Sequence, residues 1–282
     1  MYVTVDDVRN SIDVPTSKIS DATITQAIQW AEDEIDAFTE TTYYPVEDSG
    51  TVTSATATTL VDSSKSWTVD EYINYAVYIY SGTGKGQIRE ITDSDSTSVT
   101  VATWDTTPDT TSKYIITYAN KITETHDGKL QNYLILDKAP IVQVDTLTVN
   151  GTPVDTDNIK TYSDGGKIIL TSDAEVTSFL PANSYDYQNV SLTYWYGVLP
   201  KQKRGSVSLD YTISRFTCVC AAMKALAFQT GGTFDDLSTF SLPQFSGSIG
   251  QAYVNIKGTM DMLVKEYNSL KQSVIGRYYY VG

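Results

Sequence analysis

Residues 49–66 read Ser49-Gly50-Thr51-Val52-Thr53-Ser54-Ala55-Thr56-Ala57-Thr58-Thr59-Leu60-Val61-Asp62-Ser63-Ser64-Lys65-Ser66, with ten Ser or Thr among eighteen positions. Hydroxyl side chains compete for backbone hydrogen bonds and disfavour helix interiors, so any helical pattern before this stretch must stop here. Such a pattern does precede it. Thr4 and Asp7 have the spacing of a capping box with Asp in place of Glu, Val5, Val8 and Ile12 follow, and Pro15 ends the run. A second helix starts near Ser20 or Asp21, where Ile24, Ile28, Ala31, Ile35 and Phe38 recur at steps of four and three and form one apolar stripe. Its other side carries Glu32, Asp33, Glu34 and Asp36, an acidic face suited to solvent or to a basic partner.

Downstream the period changes to two. Tyr75–Tyr80 alternates as a strand, Ser81-Gly82-Thr83-Gly84-Lys85-Gly86 turns the chain, and Gln87–Thr92 returns as its hairpin partner. Ser98–Ala102 and Lys113–Tyr118 add strands around the Thr106-Thr107-Pro108-Asp109 turn, and a small barrel or sandwich is expected for 49–118. A second antiparallel β region, 119–197, holds Tyr133–Leu136, Ile141–Val149, Ile159–Tyr162, Lys167–Leu170 and Val190–Tyr196, with Asn150-Gly151 and Asp164-Gly165-Gly166 as turns. Helical spacing then resumes: Leu209, Ile213, Phe216, Cys220, Met223 and Ala227 line one face up to Gly231-Gly232, and Ile256, Met260, Leu263, Tyr267, Leu270 and Val274 line another.

The predicted fold class is therefore α+β. Helices from 1–48 and 198–275 pack as a small helical bundle because neither pair can bury its stripe alone. The 49–118 module is an insertion, 119–197 is an antiparallel β region, and 276–282 is a C-terminal arm.

Composition narrows the chemistry. The 282 residues carry 20 Lys and Arg against 34 Asp and Glu, a net charge of −14, with 21 Tyr, 7 Phe and a single His. Residues 200–282 hold nine basic and five acidic side chains, so this end is +4 and the remainder −18; such polarity orients the chain between unlike partners, packs two parts of it together, or is scattered solvated charge. Repulsion of phosphate disfavours direct DNA or RNA recognition, since the basic clusters are only Lys201-Gln202-Lys203-Arg204 and the isolated Arg277. Met1–Asn10 lacks the apolar core of a secretory signal, and Phe216–Phe228 is too short to span a bilayer. Cys218 and Cys220 point about 200° apart on a helix and cannot pair with each other.

No catalytic motif stands out. Gly82-Thr83-Gly84-Lys85-Gly86 lacks the spacing and the following Ser or Thr of a phosphate loop. His126-Asp127-Gly128 reads as a surface turn, and Asp155-Thr156-Asp157-Asn158 lacks the spacing of a calcium loop. The expectation is no enzyme, no cofactor, no metal and no catalytic residue.

Three runs carry a family resemblance. Leu134-Ile135-Leu136-Asp137-Lys138-Ala139-Pro140-Ile141-Val142-Gln143-Val144, leading into Leu147-Thr148-Val149-Asn150-Gly151, resembles a run in the head-tail connector (adaptor, head completion) proteins of tailed bacteriophages. The Asp21, Ile24, Ile28, Ala31, Ile35 spacing is similar to that family's N-terminal helix. Val190-x-Leu192-x-Tyr194-x-Tyr196-Gly197 followed by Pro200 is similar to its last strand. The resemblance covers about 1–45 and 119–275, and a tailed virus of archaea would fit equally. It implies a structural virion protein at the head-tail interface, made in the host cytoplasm and assembled with copies of itself into a ring, typically of twelve. Such a ring sits beneath the portal protein and above the next connector, stopper or tail protein. Packaged duplex DNA passes through without sequence-specific binding, and no membrane is involved. In this reading Arg277, Tyr278, Tyr279, Tyr280, Val281, Lys201, Lys203 and Arg204 meet the portal or a neighbouring subunit, and Glu32, Asp33 and Asp36 face the lumen or a partner. The competing expectation is a tail-fibre or baseplate-type protein whose β module binds carbohydrate or a receptor.

Overall fold

The computed structural model describes residues 1–12, 16, 18–171, 176–181, 187–203, 206–229 and 251–278. The chain divides into two compact units, Met1–Glu40 with Ser208–Gly282, and Thr41–Val207. The architecture is mixed α+β, with helices in the first unit and antiparallel sheets in the second.

In the helical unit, α1 (Val5–Ile12) opens on the reciprocal cap its sequence announces: Asp7 N–H donates to Thr4 Oγ1 at 3.1 Å and Thr4 N–H to Asp7 Oδ2 at 3.0 Å. Helix α2 (Asp21–Thr39) is capped by Ser20, whose Oγ accepts from Thr23 N–H at 3.2 Å, and it stops at Glu40 in a left-handed conformation, φ 54°. Helix α3 (Tyr211–Gln229) packs against α1, α2 and α4 (Gln251–Tyr278), and all four share one core. Val8, Ile12, Ile24, Ala27, Ile28 and Ala31 meet Val219, Ala222, Leu226 and Leu263 there. Each fully buried Ile or Leu contributes about 1.5–3 kcal/mol.

The single apolar face expected on α3 is too narrow a description. From Phe216 to Met223 every side chain is buried, so the middle of α3 is enclosed on all sides, as a helical stretch apolar all round should be. Both thiols are buried and free on different sides: Cys218 Sγ lies 3.1 Å from Ser11 Oγ and Cys220 Sγ 3.4 Å from Glu34 Oε2. Arg215 grips Glu266 with two hydrogen bonds, 2.6 and 2.7 Å, and Lys224 Nζ stands 2.8 Å from Glu34 Oε2. Among the described residues no helix is long and apolar enough to cross a membrane.

In the second unit the first sheet is built from β1 (Asp48–Thr51), β2 (Ser54–Ala55), β3 (Thr59–Val61), β4 (Tyr75–Ser81), β5 (Ile88–Ser94), β6 (Ser98–Val101) and β7 (Lys113–Tyr118). Their spatial order is β1-β7-β4-β5-β6-β3-β2. The strands expected over 75–118 are present, and the Ser/Thr-rich stretch supplies most of the other three. The sheet is not a closed barrel, because its two margins, β1 and β2, are not paired with each other. They are nevertheless consecutive in the chain: Val52 N–H donates to Ser112 O at 2.9 Å on one side, and Thr53 N–H to Val61 O at 2.8 Å on the other. The turn at 82–86 joins β4 to β5 with Gly82, Gly84 and Gly86 all at positive φ. Buried Gln87 pins it by bonding Gly84 O and Thr106 O.

The remaining strands are β8 (Lys121–His126), β9 (Tyr133–Ile135), β10 (Ile141–Val149), β11 (Thr152–Val154), β12 (Ile159–Tyr162), β13 (Lys167–Leu170), β14 (Val190–Tyr196), β15 (Lys201–Lys203) and β16 (Ser206–Ser208). They form sheets β11-β10-β14-β8, β12-β13-β9 and β15-β16. Leu134, Leu136, Leu147, Ile168, Phe179, Leu192 and Tyr194 belong to the core of this region. A smaller cluster of Tyr44, Ala76, Ile88 and Trp195 joins it to the first sheet, reinforced by Ile88 N–H donating to Gln143 Oε1 at 3.2 Å.

Candidate functional site

The residues assigned to interfaces on sequence grounds fall in three places. Lys201 is exposed and begins β15, Lys203 ends that strand, and Arg204 lies outside the described residues. Helix α4 continues through Gly276 and Arg277 to Tyr278, so the arm expected from 276 is helical over its first three residues, while Tyr279, Tyr280 and Val281 lie outside the described residues. The acidic face of α2 is divided rather than continuous. Glu32 Oε1 accepts from Tyr2 N–H at 2.5 Å and Asp36 Oδ1 from Tyr2 Oη–H at 2.7 Å, whereas Asp33 is exposed. Glu34 is held by Lys224 and by Tyr267 Oη–H at 3.0 Å. Much of the negative charge expected to face a lumen or partner is thus engaged within the helical unit.

A different cluster forms on β8, a strand absent from the sequence reading. His126 is the last residue of this strand and not part of a surface turn. Because side chains alternate across a strand, Ile122, Glu124 and His126 share one face. Their partners on β14 are Tyr194, Leu192 and Val190, all buried. The core face of the sheet therefore reaches its edge strand, where two of the three inward positions are ionisable. Inward-pointing charge is one way a sheet protects an edge from pairing with a second chain.

Glu124 is 8% exposed, and its carboxylate is fully engaged. Oε1 accepts from the Tyr194 hydroxyl. Oε2 accepts from Asp137 N–H at 3.2 Å and lies 2.8 Å from His126 Nε2. Tyr194 Oη in turn accepts from Lys138 N–H at 3.0 Å. Burial, and then its bond to the Glu124 carboxylate, push the Tyr194 phenol far above its ordinary range, so it stays a donor. The Asp137 side chain is exposed, and one donor atom each from Glu124, His126 and Asp137 all lie within 4.8 Å of one another.

Two carboxylates and an imidazole so placed can share protons or hold a cation. By contrast, burial followed by the charge of Glu34 pushes the Cys220 thiol up to about 12, and burial also raises Cys218, so neither offers a ready thiolate. Sequence reading passed over Glu124, Asp137 and Tyr194. The available signal was the Glu124-x-His126 spacing, which puts both on one side of any strand. No family model matches the chain, and neither does any curated protein with which it was compared.

Proposed function

We propose that the chain is a structural, non-enzymatic virion protein of a tailed virus: a head-tail connector that assembles into a ring of about twelve copies under the portal. In this reading it extends the DNA channel and presents a docking surface to the next connector or tail protein. The observation that carries it is the common core of the first two and last two helices, with 41–207 inserted between them in the chain. That layout agrees with the order of helix and strand segments on which the resemblance rests. We read the helical unit as a small bundle, and the 48–118 sheet as an open form of the small barrel or sandwich expected there, its margins joined through the 48–55 segment. Lys201, Lys203 and Arg204, together with residues 277–281, are the proposed portal or neighbour contacts, and Asp33 is the member of the acidic face left facing outward.

Rings use heterologous contacts, in which unlike surfaces of neighbouring copies meet. The exposed Trp30, Phe38 and Met262 side chains of the helical unit are apolar surface that such a contact would cover. Mass photometry of the purified chain with its portal tests the proposal. Twelve copies of 31.1 kDa would add about 373 kDa to the portal particle. A portal that gains no mass counts against the connector, and a free trimer would favour the fibre or baseplate alternative.

A further inference from the structure

We propose that Glu124, His126 and Asp137 form a binding site for one divalent first-row transition metal ion of the Zn2+ class, clipping the edge strand β8 to the segment that follows β9. The inference is independent of the connector reading. Its first support is geometric. Neighbouring ligands of a tetrahedral ion with bonds of about 2.0–2.1 Å stand about 3.3–3.4 Å apart; Glu124 Oε2 and His126 Nε2 are 2.8 Å apart, so a small separation seats one ion against both. The third donor is within 4.8 Å and belongs to an exposed side chain that can close by rotating.

The second support is rigidity. Glu124 is not a surface carboxylate that happens to have neighbours. The Tyr194 hydroxyl holds Oε1 and the Asp137 amide holds Oε2, so its plane is set before any ion arrives. Outer partners of this kind commonly change metal affinity about 10–100-fold when removed. The third is charge and donor type. A neutral imidazole and two carboxylates give −2 against a 2+ ion, and one nitrogen with two oxygens suits Zn2+ better than Ca2+ or Mg2+, which prefer oxygen alone. Solvent reaches the cluster through Asp137, which provides an entry path and leaves the remaining positions to water. Without metal the same groups make a carboxylate–imidazole contact that protects an edge strand. The proposal is that the ion replaces the proton shared by Oε2 and Nε2, the two atoms parting by about 0.5 Å to admit it.

Because the chain has one histidine, the experiment is unambiguous in its readout. Full-length protein stripped with a chelator is titrated with ZnCl2 by calorimetry, while imidazole nitrogen resonances are followed by NMR. One Zn2+ per chain should bind, the Nε2 resonance should move to a metal-bound position, and millimolar Mg2+ should not displace the ion. His126→Gln should abolish that binding. Asp137→Asn, an exposed change that leaves the fold intact, should weaken it about tenfold or more. Imidazole signals unmoved at one equivalent of Zn2+ would overturn the site, as would equal affinity of Asp137→Asn and wild-type protein. If His126→Gln proves unstable by circular dichroism, the Asp137→Asn comparison decides alone.

Discussion

The two sheet regions of the second unit each bury one carboxylate against a tyrosine hydroxyl, and they finish the job differently. In the first sheet, Asp62 is 2% exposed; Oδ2 accepts from Tyr114 Oη–H at 2.8 Å, and Oδ1 from Ser64 N–H at 3.0 Å and Ser64 Oγ–H at 2.6 Å. The hydroxyl and amide come from fixed, neutral neighbours, and Gly50 lies flat against the assembly. In the second region, Glu124 has the same kind of tyrosine, yet its other oxygen faces an imidazole with an exposed carboxylate beyond it. A buried acid surrounded by neutral donors is a fastening. A buried acid that shares its last coordination direction with other ionisable groups is available for binding.

The largest expected effects come from filling the space beside each carboxylate region. A Cβ at Gly128, two residues after His126, would lie 1.7 Å from the Phe179 backbone oxygen and 2.8 Å from Asn189 Oδ1, whereas one at Gly50 would meet side-chain atoms, Asp62 Oδ2 at 2.2 Å and Tyr114 Oη at 2.7 Å. Gly128→Ala should cost about 3 kcal/mol or more and Gly50→Ala about 2 kcal/mol, read as denaturant midpoints. The reverse ranking would break the picture of a rigid backbone around the second region.

Next come the hydroxyls. Tyr114→Phe and Tyr194→Phe each remove a donor from a buried carboxylate and should each cost about 2 kcal/mol. Only Tyr194→Phe should also weaken Zn2+ binding, by about tenfold or more; equal effects on Zn2+ from both variants would erase the distinction.

A pH scan separates the two acids further. Burial works to raise Asp62, but hydrogen bonds from Ser64 and Tyr114 and the charge of Lys65 outweigh it and hold the carboxyl below its ordinary value. A lowered folded value means the stability it contributes is fully present above the ordinary Asp pKa of about 3.9 and is lost as pH falls through the folded value. Asp62→Asn should therefore flatten the decline in stability between pH 4 and lower pH, measured by thermal melts across the scan. An unchanged slope would remove Asp62 from the acid response. The smallest effect is the most selective: Asp137→Asn in metal-free protein should shift stability by no more than about 0.5 kcal/mol, because that side chain supports binding and not packing.

Local features of the fold were legible in the sequence. The Thr4–Asp7 cap, the Ser20 start and the bounds of β7, β10, β12, β13 and β14 follow from patterns contained within each element. What escaped was set by pairing. Lys121-Ile122-Thr123-Glu124-Thr125-His126 has one apolar residue, and only its β-branched Ile122, Thr123 and Thr125 hint at a strand; it is a strand because Val190–Tyr196 offers its edge. β1 to β3 are two to four residues long and rich in hydroxyls, and their order is fixed by β7 and β6. The Glu124 cluster was illegible for the same reason: Asp137 arrives by a turn of the chain, and Tyr194 through a ladder formed by residues far away in sequence.

The consecutive margins of the seven-stranded sheet have a kinetic meaning. The hairpins β2–β3, β4–β5 and β5–β6 close over short distances, but Asp48 must find Ile116 and Leu60 must find Val99. Long-range pairings of this kind form slowly. Residues 48–55 therefore act as a seam sewn last, after both neighbours are in place. Once sewn, opening either margin pulls on the other, so the Val52 and Thr53 amides should share a single rate of hydrogen exchange, that of the whole sheet coming apart.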